Sequence, residues 1–146
     1  MSRVIEGYDQ DFYAWAMQNA ELIRQGRFAE IDAEHVAEEL ESMGKSQKRA
    51  LGSRLTVLLA HLLKWRYQPG ARGSSWRNTI TIQRLELQEL VEENPSLQPT
   101  LPIVLPVAYR KARLLAASET QLDLSAFPDA CPFTLEQVFA DDFWPE

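Results

Sequence analysis

The sequence predicts an all-α protein: a compact bundle of five main helices plus a short C-terminal helix, in a single domain over residues 1–146. Three observations predict it. Apolar residues recur at spacings of three and four through most of the chain, which aligns them on one face of a 3.6-residue helix. Most of these runs follow an Asp, Ser or Thr and end at a Gly, Asn or Pro, the residues that cap or stop helices. There is no convincing alternation of apolar and polar residues of the kind that marks a half-buried strand. A length of 146 residues suits one domain with a sizeable core.

The first helix is expected over 10–25. Asp9 is its candidate N-cap, and Phe12, Trp15, Ala16, Asn19, Leu22 and Ile23 form its stripe, with Asn19 the polar exception. Gly26 suits the left-handed position that closes a helix. Asp32 should cap a second helix over 33–43, with Val36, Leu40 and Met43 as its apolar face and Gly44 as its stop. Glu39 lies about 60° from Val36 on that helix, at the flank of the apolar face, and Glu38 points away. Ser46 should cap a third helix over 47–67, whose stripe is Leu51, Leu55, Leu58, Leu62 and Trp65, widened by Leu59. Arg54 and His61, seven residues apart, share one flank of it.

Pro69, Gly70 and Gly73 interrupt the chain. Ser74 or Ser75 should start a fourth helix over about 76–93, with Trp76, Ile80, Leu87, Leu90 and Val91 on one face. Gln83 and Arg84 fall on that same face. A guanidinium turned toward a core must find a carboxylate or several acceptors, and Glu39 is the expected partner. Asn94–Pro95 ends this helix. A fifth is expected over 102–119, with Pro102 at its first position, Pro106 removing one backbone bond, and Leu101, Leu105, Ala108, Ala112 and Leu115 as its stripe. Thr134 and Gln137 have capping-box spacing, which predicts a short helix over 135–140. The aromatic tail DDFWPE should dock against the body of the protein.

Composition bounds the class. Hydrophobic residues at 45% and charged residues at 25% are ordinary for a soluble globular protein. One cysteine, Cys131, excludes an intrachain disulfide framework and fits a reducing cytoplasm. The N-terminal MSRVIEGYDQDF lacks the apolar run of a signal peptide, and LTVLLAHLL is far short of the roughly 20 residues of a spanning helix. A cytoplasmic protein without a membrane partner is expected. The net charge of −6 conceals a segregation. Residues 42–85 hold nine cations and no acid, which leaves six cations against 21 acids elsewhere. The expected reading is that acidic EIDAEHVAEELE folds back on the basic middle. The alternative is that the basic 45–84 region binds a single-stranded nucleic acid or an acidic partner.

The ordered motifs YDQDFYAW, LIRQGRF, AEELESMGKS, HLLKWRYQP, SSWRNTI, NPSLQP, AYRKARLLA and FPDACPFTLEQV resemble the bacterial domain-of-unknown-function family 29, from about Tyr8 to Pro145. The resemblance implies an all-helical cytoplasmic fold and carries no catalytic residues. The pattern of that family emphasises Glu38–Glu39, His61–Trp65, Ser75–Trp76 and Gln83–Arg84, the positions that helix geometry also singles out.

Three chemistries compete for these residues. His35 and Glu39, four apart on one helix, with His61 from the next, would make a two-His, one-carboxylate metal set, but the paired Glu-x-x-His motifs of helical carboxylate sites are absent. Glu39, His61 and Arg84, with Glu38, could combine a base with an anion clamp, yet no nucleophile elbow, phosphate loop or nucleotide fingerprint accompanies them. Trp65, Arg72, Trp76 and Arg77, beside a glycine-containing loop, suit base stacking, without the signature of any nucleic-acid module. Cys131 sits alone in a proline-rich turn, as a structural thiol does. The favoured reading is a non-enzymatic binding or interaction module, with a protein or a second copy as partner and no cofactor, built on a semi-buried network of Glu38, Glu39, His61 and Arg84 with Trp65, Arg72, Trp76 and Arg77.

Overall fold

The computed structural model describes residues 7–146, and among them there are helices and turns only. Five α-helices follow one another: α1 (Phe12–Arg24), α2 (Ala33–Tyr67), α3 (Ser74–Glu93), α4 (Leu101–Thr120) and the five-residue α5 (Leu135–Phe139). Short 3-10 turns at Phe28–Glu30, Pro69–Ala71, Pro95–Thr100 and Leu124–Ala126 join them. Among the described residues no helix is long and apolar enough to cross a membrane. The chain divides into two compact units, Met1–Ser46 and Gln47–Glu146.

The second and third expected helices are one. Gly44 does not stop the chain: α2 runs from Ala33 to Tyr67. Among the described glycines only Gly26 has a positive φ, so Gly44 holds a helical conformation. A single glycine costs a helix only about 1 kcal/mol. The flanking residues, GluLeuGluSerMet before and LysSerGlnLysArgAla after, are mostly good helix formers, and Glu41 and Lys45 have the favourable i,i+4 order. No proline intervenes to make the stop obligatory.

In the first unit, α1 is capped by Asp11, whose side chain accepts from the Ala14 N–H at 3.0 Å, rather than by Asp9. Its end is as the glycine predicts. Gly26 has φ 72°, its N–H reaches the Ile23 carbonyl at 3.0 Å and that of Arg27 reaches Leu22 at 2.9 Å, the paired bonds of a Schellman motif. Trp15, Asn19 and Leu22 are buried, whereas Phe12, Met17, Leu40 and Met43 are more than half exposed. The expected apolar face of the second helix is therefore mostly solvated.

The second unit holds the large core. Leu51, Leu55, Leu58, Leu59, Leu62 and Leu63 of α2 are fully buried, each worth about 1.5–3 kcal/mol relative to exposure. Residues 58–60 and 62–65 are buried on all sides of the helix, which marks this half of α2 as a central helix. Ile80, Leu87 and Leu90 of α3 and Ala108, Tyr109, Ala112 and Ala116 of α4 complete the core with Phe127, Phe133 and Val138. The small residues of α4 allow close helix contact, while Leu115 lies exposed. Both halves of the predicted capping box form at α5: Gln137 N–H to Thr134 Oγ1 at 3.1 Å and Thr134 N–H to Gln137 Oε1 at 3.0 Å. The tail docks through Trp144, 4.8 Å from Trp65, and Phe143, 5.8 Å from Phe133.

Candidate functional site

The polar residues singled out by sequence do not meet in one network. They separate into a cluster in each unit.

In the first unit Asp32 is the hub. Its Oδ2 accepts from the Trp15 indole N–H at 2.8 Å and lies 2.7 Å from His35 Nδ1. Its own N–H donates to Asn19 Oδ1 at 2.7 Å, and Asn19 in turn donates to the Trp15 carbonyl at 2.9 Å. Asn19, the polar exception on the first stripe, is thus buried because it joins α1 to the start of α2. Burial pushes the Asp32 carboxyl up, but the bonds from Trp15 and His35 outweigh it and hold the carboxyl below the usual range. His35 is raised, chiefly by its bond to Asp32. The Tyr8 ring stacks on His35 at 4.3 Å and 10°, and its hydroxyl donates to Glu39. That bond is the main reason the phenol is pushed up to about 12. Glu38 is exposed on α2.

The second cluster begins with the HLLKW run. His61 Nδ1 lies 2.8 Å from the Val57 carbonyl; a carbonyl only accepts, so Nδ1 carries the proton and Nε2 is left as an acceptor. Lys64 Nζ is 3.5 Å from that Nε2, pairs with the Glu119 carboxylate, and lies 5.1 Å over the Trp76 ring. Burial first, and then Lys64, lower the His61 pKa. Lys64 is only 5% exposed, and Glu119 and Trp76 compensate its burial. Trp65 is buried, with the guanidinium groups of Arg72 and Arg77 at 5.2 and 5.7 Å from its ring. Arg72 also donates to the Trp65 carbonyl at 2.6 Å and to the Pro145 carbonyl at 3.3 Å. Trp65 thus has arginines and Trp144 as neighbours and presents no open face for a base to stack on.

Arg84 is buried at 1% exposure, but its partner is not Glu39. Its Nε donates to the Val138 carbonyl at 2.9 Å and its Nη2 to the Gln137 carbonyl at 3.2 Å. One turn on, Gln88 donates to the Phe139 carbonyl at 3.0 Å and to Asp141 at 2.9 Å. The physical reason is local. The last carbonyls of any helix have no partner within it and carry partial negative charge, and α5 is too short to bury its own end. Two side chains at i,i+4 on α3 supply the donors. Arg84 also lies 5.7 Å from the Trp144 ring. Burial lowers its pKa, and the charges of Asp141 and Asp142 oppose that. Its Nη1 and the Oε1 of Gln83 are buried with no hydrogen-bond partner.

The three-ligand metal set does not form. His35 Nδ1 faces Asp32, Glu39 accepts from Tyr8, and His61 faces Val57 and Lys64. Among the described residues no group of three His, Cys, Asp or Glu is arranged to hold an ion. The three groups expected to serve acid–base chemistry, Glu39, His61 and Arg84, are each engaged by a neighbour in their own unit.

A different feature stands open. A groove of 690 Å³ runs between the end of α3, the Pro95–Thr100 turn, the start of α4, and α5. Val91, Pro95, Leu101, Pro102, Leu135 and Phe139 give it an apolar floor, and Gln88, Glu92, Gln98 and Glu136 give it a polar rim. It lies within the size range of ligand and peptide sites.

Residues 7–144 match a family described as Domain of unknown function DUF29. The chain belongs to the DUF29 family. No curated protein and no solved structure matches it. The DUF29 match takes in both clusters and the whole groove. Sequence reasoning missed the groove of this DUF29 chain because its walls come from the ends of four elements rather than from one stripe. It gave Asp32 only a capping role and passed over Lys64 and Glu119. The signal for Lys64 was present: a lysine inside the unbroken apolar girdle LeuLeuLysTrp belongs to a helix buried all round.

Proposed function

We propose that this DUF29 chain is a non-enzymatic interaction module and that the groove between α3, α4 and α5 is its binding surface. The observation that carries the reading is the contrast in saturation. Glu39, His61 and Arg84 each bond to a neighbour in the same chain, and the Arg84 Nη1 left over is buried, while six apolar residues of the groove line an open channel. Apolar surface left at a concave site is surface whose burial on binding is favourable. A bacterial cytoplasm is the setting proposed for it, supported by the lone free Cys131.

The test uses a neutral apolar probe. Nile red added to the protein should shift the amide NMR signals of Val91, Leu101, Leu135 and Phe139. Pro102→Asp, which suits the first turn of α4 and places a charge on the floor, should weaken that binding at least fivefold. Turnover of a general ester, phosphate or peptide substrate that disappears in His61→Ala would replace the module with an enzyme. The nucleic-acid alternative has in its favour that Arg66 and Arg77 are exposed. It requires single-strand binding that falls steeply with salt and weakens in Arg77→Ala; a flat salt response removes it.

A further inference from the structure

We propose that the occupant of the groove is an amphipathic helix of a partner protein, carrying Lys or Arg beside its apolar face. This rests on the interaction-module reading and names the partner class for the same site. Charge is the first argument. The lining includes Glu92 and Glu136 and no lysine or arginine. Asp141, tied to the rim residue Gln88 at 2.9 Å, adds a third carboxylate. An apolar floor edged by three acids matches an apolar stripe edged by cations.

Backbone chemistry is the second argument. An extended segment binds by adding main-chain hydrogen bonds to a free edge. The groove offers no strand edge along its α3–α4 side, where every lining residue belongs to a helix or to the Pro95–Thr100 turn. An occupant whose backbone is already satisfied fits such a wall, and a helix is that occupant.

Shape is the third argument. Pro95, Gln98 and Pro102 are exposed residues of the lining, so the feature is an open trough. A small ligand would leave much of its own surface in water there, whereas sites for small ligands bury most of it. A helix laid along the trough covers the floor with side chains at i, i+3, i+4 and i+7.

The experiment uses three labelled 18-residue model helices, composed of Leu and Lys, Leu and Glu, and Ala and Lys, at physiological salt. Anisotropy gives the affinity and amide NMR gives the location. The Leu/Lys helix should bind tightest and shift Val91, Leu101, Leu135 and Phe139. The double variant Glu92→Lys/Glu136→Lys changes two exposed side chains, so its fold should persist. It should bind the Leu/Lys helix about tenfold more weakly, the loss expected of two rim charge pairs. Equal binding of the Ala/Lys helix, shifts confined to the acidic first unit, or an unchanged affinity in the double variant would each overturn the inference. A Leu/Glu helix seated in the groove as tightly as Leu/Lys would overturn the charge assignment and leave the module reading standing. Failure of every helix together with failure of Nile red at the groove would overturn both.

Discussion

Arg84 shows how one residue can be placed correctly by periodicity and partnered wrongly by charge. Its position on the Ile80–Leu87 face requires burial, and it is buried. Glu39 was the expected partner because it is the flank acid of the second helix, but the orphan carbonyls of α5 answer the same need. Arg84→Ala removes two charge-assisted bonds, leaves the Val138 carbonyl without a donor and opens a cavity, so it should destabilise the protein by about 3 kcal/mol. Arg84→Met keeps most of the volume and removes a buried charge, and should cost less. Urea unfolding of both variants checks this. A loss within about 0.5 kcal/mol for Arg84→Ala, the range of surface sites, would mean that the guanidinium is solvated and α5 is held by other means.

Among the elements, α2 carries the sharpest forecast. Gly44 is exposed, helical and has nothing within 4 Å of where a Cβ would stand. Gly44→Ala should therefore stabilise by about 0.5–1 kcal/mol, through helix propensity and a less flexible unfolded chain. If the helix stopped at Gly44 in a left-handed conformation, the same change would destabilise instead; thermal unfolding decides between the two signs. What was legible at this scale follows from local rules. The Gly26 closure, the Thr134–Gln137 box and the all-helical class depend on residues within four positions of one another. What was not legible depends on contacts far along the chain or on competition. The cap moved from Asp9 to Asp11, and Gly44 yielded to neighbours with stronger helical preference. Leu40 and Met43 read as core by spacing yet are exposed. Of the candidate site, burial of Arg84 and Trp65 could be read from periodicity. The Lys64–Glu119 pair spans 55 residues, and no pattern within α2 points to its partner.

For the molecule as a whole, the two histidines predict opposite responses to acid in the two units. His35 is raised above its ordinary 6.5 by Asp32. Its contribution is present in full below the unfolded value and is lost as pH rises through the folded one. His61 is lowered by burial, so its contribution is present above 6.5 and is lost as pH falls toward the folded value. As pH falls from above 6.5 to below it, the first unit should thus gain stability while the second loses it. Amide exchange corrected for intrinsic rates, read separately in α1 and in the second half of α2, measures this. Histidine ring titrations displaced in the same direction would refute it. A last consequence belongs to α5. This five-residue helix supplies Leu135, Glu136 and Phe139 to the groove, and Arg84, which is not one of the groove's residues, holds it by the Val138 and Gln137 carbonyls. Neither Arg84 nitrogen that does the gripping belongs to the lining, so loosening that grip should swing one jaw of the clamp out of register. Recognition would then decline in a variant whose every contact with its guest is intact, and saturation-transfer difference spectra would register the guest's looser hold on that jaw alone.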